Sequence, residues 1–309
     1  MEKKRVFGLI FSIVFFIIEN IFGVGISLAQ ENPRIIISPA FSEVSISESE
    51  PEKIVNISIT NNTLIDSEFN IQAVEVRQVD EQGNIGFVDK PQSINNAFAD
   101  FIEAIDKVSI ANGETKVIPI IIKNNINLPS GGHYVAIIAQ LTSENSNTNA
   151  YISPALSSFL LIKKEGGDRY QISMRDREKV KVLNWSILNS YNVTFENQGN
   201  VHVKPRGVIL VTDIFGRTIK KGIINEDSKI ILPGARRQID VKLYNVSPSF
   251  PFMLLSLKLN GESEDGAIPF SDSSTFIYVS KNFLIIIFLL LIFVPLLLKK
   301  FRRKKQHEV

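Results

Sequence analysis

Cysteine is absent from the 309 residues, so no disulfide can staple this chain and burial alone must stabilise its modules. A secreted eukaryotic ectodomain of this size ordinarily carries disulfides, so the absence points to a prokaryotic surface protein. Histidine is nearly absent too. His133, His202 and His307 lie far apart, without the spacing of metal ligands. His133 opens a strand, and His202 in Val201-His202-Val203-Lys204 falls on the exposed side of an alternating run. No nucleophile elbow, phosphate loop or zinc pattern occurs. Glu262, Glu264 and Asp265 lack the ligand series of a calcium loop and read as a solvated turn. The chain offers no convergent acid, base or nucleophile, so it reads as a non-enzyme with no cofactor and no metal.

A large charge excess is also missing, with 34 basic and 32 acidic residues. The even total hides a division. Residues 30–165 carry 9 basic and 17 acidic side chains, whereas 166–298 carry 16 and 12. Neither region has the basic excess of a nucleic-acid binder.

Long apolar runs occur at the two ends. Lys3, Lys4 and Arg5 precede the apolar stretch Val6 to Ile18, and Ser27-Leu28-Ala29 gives a small-x-small site, so residues 1–29 read as a signal peptide. The second run, Phe283 to Leu298, has 16 residues and covers roughly 24 Å as a helix, against a ~30 Å hydrocarbon core. Extending it through residues 276–279 predicts a transmembrane helix over 276–298, with Tyr278 at the outer interface. Lys299, Lys300, Arg302 and Arg303 then head a basic cytoplasmic tail over 299–309. The expectation is a single-pass protein of the cell membrane, held in the lipid bilayer, with its N-terminal ectodomain outside.

Between these ends the chain alternates with period two. Ile54 to Thr60 alternates apolar and polar residues and stops at Asn61-Asn62-Thr63; Phe69 to Val76 repeats the pattern up to Gln82-Gly83-Asn84. Short alternating runs separated by turn residues indicate β-sandwiches. A short helix is expected only over Asn96 to Val108. The pattern then recurs: Asn56 to Asn62 matches Asn192 to Gln198, and Ala111-Asn112-Gly113-Glu114 matches Leu232-Pro233-Gly234-Ala235. The fold class expected is all-β, two tandem Ig-like sandwiches over 30–165 and 166–275, the first with an insertion near 85–108. A hinge is expected at Lys163 to Asp168, and Pro205 suggests an edge strand or bulge.

The candidate binding residues lie in the second module. Lys204, Arg206, Arg217, Arg236 and Arg237 concentrate positive charge that could hold an acidic partner, and Ile214-Phe215 would be an exposed apolar pair at a hairpin tip.

The layout resembles the WxL-protein-interacting family of Gram-positive cell-surface proteins. The residues that carry this are Ile36-Ile37-Ser38-Pro39, Val55 to Asn62, Leu128-Pro129-Ser130-Gly131-Gly132-His133-Tyr134, Phe195 to Gly207 and Asp213-Ile214-Phe215-Gly216. The resemblance implies an outer domain that associates with peptidoglycan and an inner one that binds a protein. The first module also resembles the N-terminal domain of periplasmic pilus chaperones: an opening strand with Arg34, an Asn-Asn turn, and a Leu-Pro stretch before the last strand. The function expected is a membrane-anchored binding or adhesion protein that engages cell-wall polymer or a partner surface protein. The alternative is a tethered assembly factor that acts by strand-edge complementation.

Overall fold

The computed structural model describes residues 34–88, 98–142, 154–263 and 268–306, with side chains in the final helix as far as Leu296. The leader lies outside these residues. The described residues form ten strands in the first half: β1 (Arg34–Ser38), β2 (Phe41–Ile46), β3 (Glu52–Asn62), β4 (Ser67–Gln78), β5 (Ile85–Phe87), β6 (Ile102–Glu103), β7 (Lys107–Ile110), β8 (Thr115–Lys123), β9 (Gly131–Leu141) and β10 (Ala155–Lys164). Nine follow: β11 (Ile172–Arg177), β12 (Leu183–Asn184), β13 (Ser190–Asn197), β14 (Pro205–Asp213), β15 (Thr218–Ile224), β16 (Arg236–Lys242), β17 (Tyr244–Asn245), β18 (Phe252–Ser263) and β19 (Pro269–Val279). A helix, α1 (Lys281–Gln306), ends the described chain.

One sheet of the first sandwich runs β1-β3-β8-β6; the other runs β2-β10-β9-β4-β5, with β7 also on β4. The alternation of β3 sends Ile57 and Ile59 into the core, where Phe69, Ile118, Ile120, Ile137 and Ile162 meet them. The second sandwich packs β11-β13-β16 against β12-β19-β18-β14-β15-β17 over Tyr191, Val193, Phe195, Leu257 and Phe276. The first strand of each long sheet runs parallel to the last, β2 along β10 and β12 along β19.

The sequence repeat acquires a physical content here. Asn61, next to last in β3 and wholly buried, donates from Nδ2 to Ile65 O at 2.8 Å and Ile110 O at 2.9 Å. Asn197, the last residue of β13 and also wholly buried, donates to Val201 O at 2.8 Å and Ile231 O at 2.9 Å. Gly113 and Gly234 donate their backbone N–H groups to the carbonyls of Asn61 and Asn197. Both glycines have positive φ, +78° and +69°, where a side chain would be strained.

Three expectations are corrected. The transmembrane helix over 276–298 is not found: among the described residues no helix is long and apolar enough to cross a membrane. Residues 276–279, which were to lengthen it, belong to β19. Phe276 is buried in the second core and Tyr278 pairs with Met253, so the helix starts only at Lys281. Phe283 lies in α1, which contains Pro295; Leu298, Lys299, Lys300, Arg302 and Arg303 fall in its last part, their side chains outside the described residues. The single-pass topology, with its bilayer anchor, outer ectodomain and cytoplasmic tail, falls with that span. Second, the helix over Asn96 to Val108 is replaced, in its described part, by a 3-10 turn at Phe98–Phe101 and by strands β6 and β7. Third, Pro205 opens a central strand, β14, flanked by β18 and β15; as the first residue it withholds no bond from within the ladder.

Candidate functional site

The outer face of the β2-β10-β9-β4-β5 sheet is apolar, which is unusual for a face turned away from its own core. Phe159 and Leu161 of β10 share it with Tyr134 and Ala136 of β9 and Val76 of β4, in the register Phe159 to Ala136 and Leu161 to Tyr134. Leu232 and Ile230 of the second sandwich cover one end of this face. Between them lies a cleft of about 580 Å³, with Phe41, Phe159 and Leu161 on one wall and Lys204, Arg206 and Arg237 on the other.

Both walls are tied together by hydrogen bonds. Gln78 Nε2 donates to Arg236 O at 2.6 Å, and the Gln238 N–H donates to Glu81 O at 2.8 Å. At the linker the Gly132 N–H donates to Asn200 O at 2.7 Å, and the Asn200 side chain binds Gly167 O and the Arg169 N–H. The segment expected as a hinge is therefore clasped from both sides; Lys164 Nζ also reaches Leu128 O at 2.7 Å.

A polar cluster stands at the edge of the cleft. Glu43 on β2 binds His202 Nε2 through Oε1 at 2.8 Å and Lys204 Nζ through Oε2 at 2.6 Å. The other ring nitrogen of His202 lies 3.3 Å from the Tyr134 hydroxyl. Burial alone would raise the Glu43 carboxyl, but hydrogen bonds from Lys204 and His202 outweigh it and hold it below its ordinary value. His202, expected on an exposed face, is instead 3% exposed. The short bridge of Val203 to Ile231 sets its backbone, and the first sandwich covers its ring.

The candidate residues divide. Lys204, Arg206 and Arg237 meet in the cleft: Arg206 Nη2 donates to Ser228 Oγ at 2.7 Å, and Arg237 Nη1 donates to Ile230 O at 2.7 Å. Burial pushes the Arg237 guanidinium below its ordinary value, and it lies against Gly83, where any side chain would collide with it. Arg236 faces elsewhere, bonding Glu196 Oε1 at 3.0 Å beside Arg175. Ile214, Phe215 and Arg217 sit at the β14–β15 hairpin tip, with Phe215 88% exposed. There Asp213 binds Arg217 at 3.1 Å, and Arg217 lies 5.0 Å over the Phe250 ring. Glu264, Asp265 and His307 lie outside the described residues, while His133, third in β9, donates from Nε2 to Pro129 O at 2.8 Å and stacks on Phe98. Glu43 and Phe159 were not singled out in the sequence, and Tyr134 only as the last residue of the Leu128 motif. The Phe159/Leu161 alternation on β10, opposed to Leu160 and Ile162, carried the signal of a strand apolar on both faces.

No family model matches this chain, and no curated protein matches it. Solved structures do. The class 5 fimbriae chaperone CfaA is 13% identical, with a TM-score of 0.43, the match covering 78% of this chain and 99% of that one. The E. coli chaperone DraB is 7% identical, covering 79% and 97%, with a TM-score of 0.37. The Salmonella enterica SafA pilin in complex with the SafB chaperone gives 11%, 81% and 98%, with a TM-score of 0.36. These structural neighbours are chaperones, of class 5 fimbriae in the first case and in complex with a pilin in the third, and no matching family model supports the WxL-protein-interacting resemblance.

Proposed function

We propose that this is a non-enzymatic binding protein that holds an extended segment of a partner polypeptide by strand addition, as an assembly factor for secreted or surface subunits would. The observation that carries this reading is the outer edge of β10. Strand β9 pairs with β10 from Ala155 to Lys164, but β2 covers the opposite edge only from Phe159 to Lys164. The Phe159 N–H points outward, to Ala40 O. By the two-residue alternation of a strand, the N–H and C=O groups of Ala155 and Ser157 point the same way, and no described strand pairs with them. An extended segment laid there would send alternate side chains toward the apolar face that leads into the cleft. The apolar wall fits polypeptide side chains better than it fits a polymer of sugars.

The test is a displayed library of ten-residue segments with alternating apolar positions, screened against the full chain and its Ser157→Pro variant. Proline there removes an outward N–H and leaves the β9 ladder intact. Binding should be lost in S157P; a library that yields no binder, or binders indifferent to S157P, sinks the reading.

A further inference from the structure

Strand β2 is six residues long, pairs with one strand only among the described residues, and pairs in parallel, the slightly weaker arrangement. Its inward Ile46 is wholly buried, whereas Phe41 at the opposite end is 45% exposed, and the chain just before it is held by the Phe159 N–H on Ala40 O and the Ser158 hydroxyl on Pro39 O. Glu43 lies in the Phe41 half, opposite Leu161, and its carboxylate is gripped by two residues of the other sandwich, His202 and Lys204. His202 is in turn seated against Tyr134, edge-on at 5.8 Å between ring centroids. The element that limits the open edge of β10 is thus fastened from outside its own domain.

We infer that His202 and Lys204 act through Glu43 as a latch that holds β2 on β10, and so fix the length of the open edge at Ala155–Ser158. Released, the Phe41 half of β2 loosens from β10 between β1 and the buried Ile46 and uncovers the outward backbone groups of Phe159 and Leu161, extending the edge toward the floor of the cleft. Binding at that edge belongs to the strand-addition reading above, but the latch itself is testable without any partner. His202 and Lys204 are positioning residues here. They act on β2 through Glu43, from across the domain boundary.

Amide hydrogen exchange on the full chain decides it. In Glu43→Ala, whose side chain leaves from an edge strand and from neither core, the Phe159 and Leu161 amides should exchange at least about tenfold faster, equivalent to about 1.4 kcal/mol. The Leu160 and Ile162 amides, which face β9, should keep their protection. Lys204→Met, on the far side of the latch, must reproduce the same local pattern. Unchanged exchange at Phe159 and Leu161 in both variants overturns the latch, as does a loss of protection spread over the whole sandwich. That result leaves strand addition standing if segments still bind the parent chain. Segments that never bind defeat strand addition, with the exchange result unaffected.

Discussion

Both sandwiches end their longer sheet with a strand whose outer edge is partly bare, β10 in the first and β19 in the second, each covered at its C-terminal end by a leading parallel strand. What flanks the bare part differs. Along β10 it is Ala155, Ser157 and the apolar face of Phe159 and Leu161. Along β19 it is Ser271-Asp272-Ser273-Ser274-Thr275, with Asp272 bound to Arg177 at 2.6 Å. A run of serines and a half-exposed ion pair guard one edge against strangers, while the other edge opens onto a greasy wall. An unpaired edge is therefore not by itself a binding edge; the side chains on either side of it decide.

The largest effect should come from what the two sandwiches share. Asn61→Ala and Asn197→Ala each remove a buried amide that donates to two carbonyls and accepts a backbone N–H, costing about 3 kcal/mol apiece in denaturant unfolding. A large loss from one and none from the other breaks the equivalence. The next effect separates them. Where the first sandwich has Val55, the second has Tyr191, wholly buried, its hydroxyl without a protein partner. Burial, with the Asp272 carboxylate nearby, pushes this phenol up to about 12. A raised pKa means that the folded state keeps its proton longer. The second sandwich should hold full stability below the ordinary value of 10.0 and lose it as pH rises toward 12, followed by tyrosinate absorbance. Tyr191→Phe should abolish that loss and add about 1 kcal/mol at neutral pH. The smallest effect belongs to the hairpin tip: Phe215→Ala should change the melting free energy by less than about 0.5 kcal/mol, because the ring touches water and little else.

Much of the fold was legible because strands advertise themselves locally. The alternation of Ile57 and Ile59, and the glycines at 113, 216 and 234, each followed from their nearest neighbours, and all three glycines take positive φ. The site was legible only in part, since its parts come from both sandwiches. Lys204, Arg206 and Arg237 stood out as charge, but nothing in Val201-His202-Val203 says that another domain covers the ring. The segment Phe276 to Val279 shows the same limit. Four residues, apolar but for one hydroxyl, suit a helix or a strand equally, and pairing with β18 decided for the strand.

Asn61 and Asn197, both wholly buried, also set how this chain ages. With no cysteine to oxidise, the slow chemistry left to it includes deamidation, to which asparagine is prone. At an exposed position such as Asn112 the change would add a charge to water and little more. At Asn61 or Asn197 it would turn a nitrogen donor into an oxygen facing two carbonyl oxygens at the end of a core strand. The working life of each sandwich thus hangs on one side-chain nitrogen.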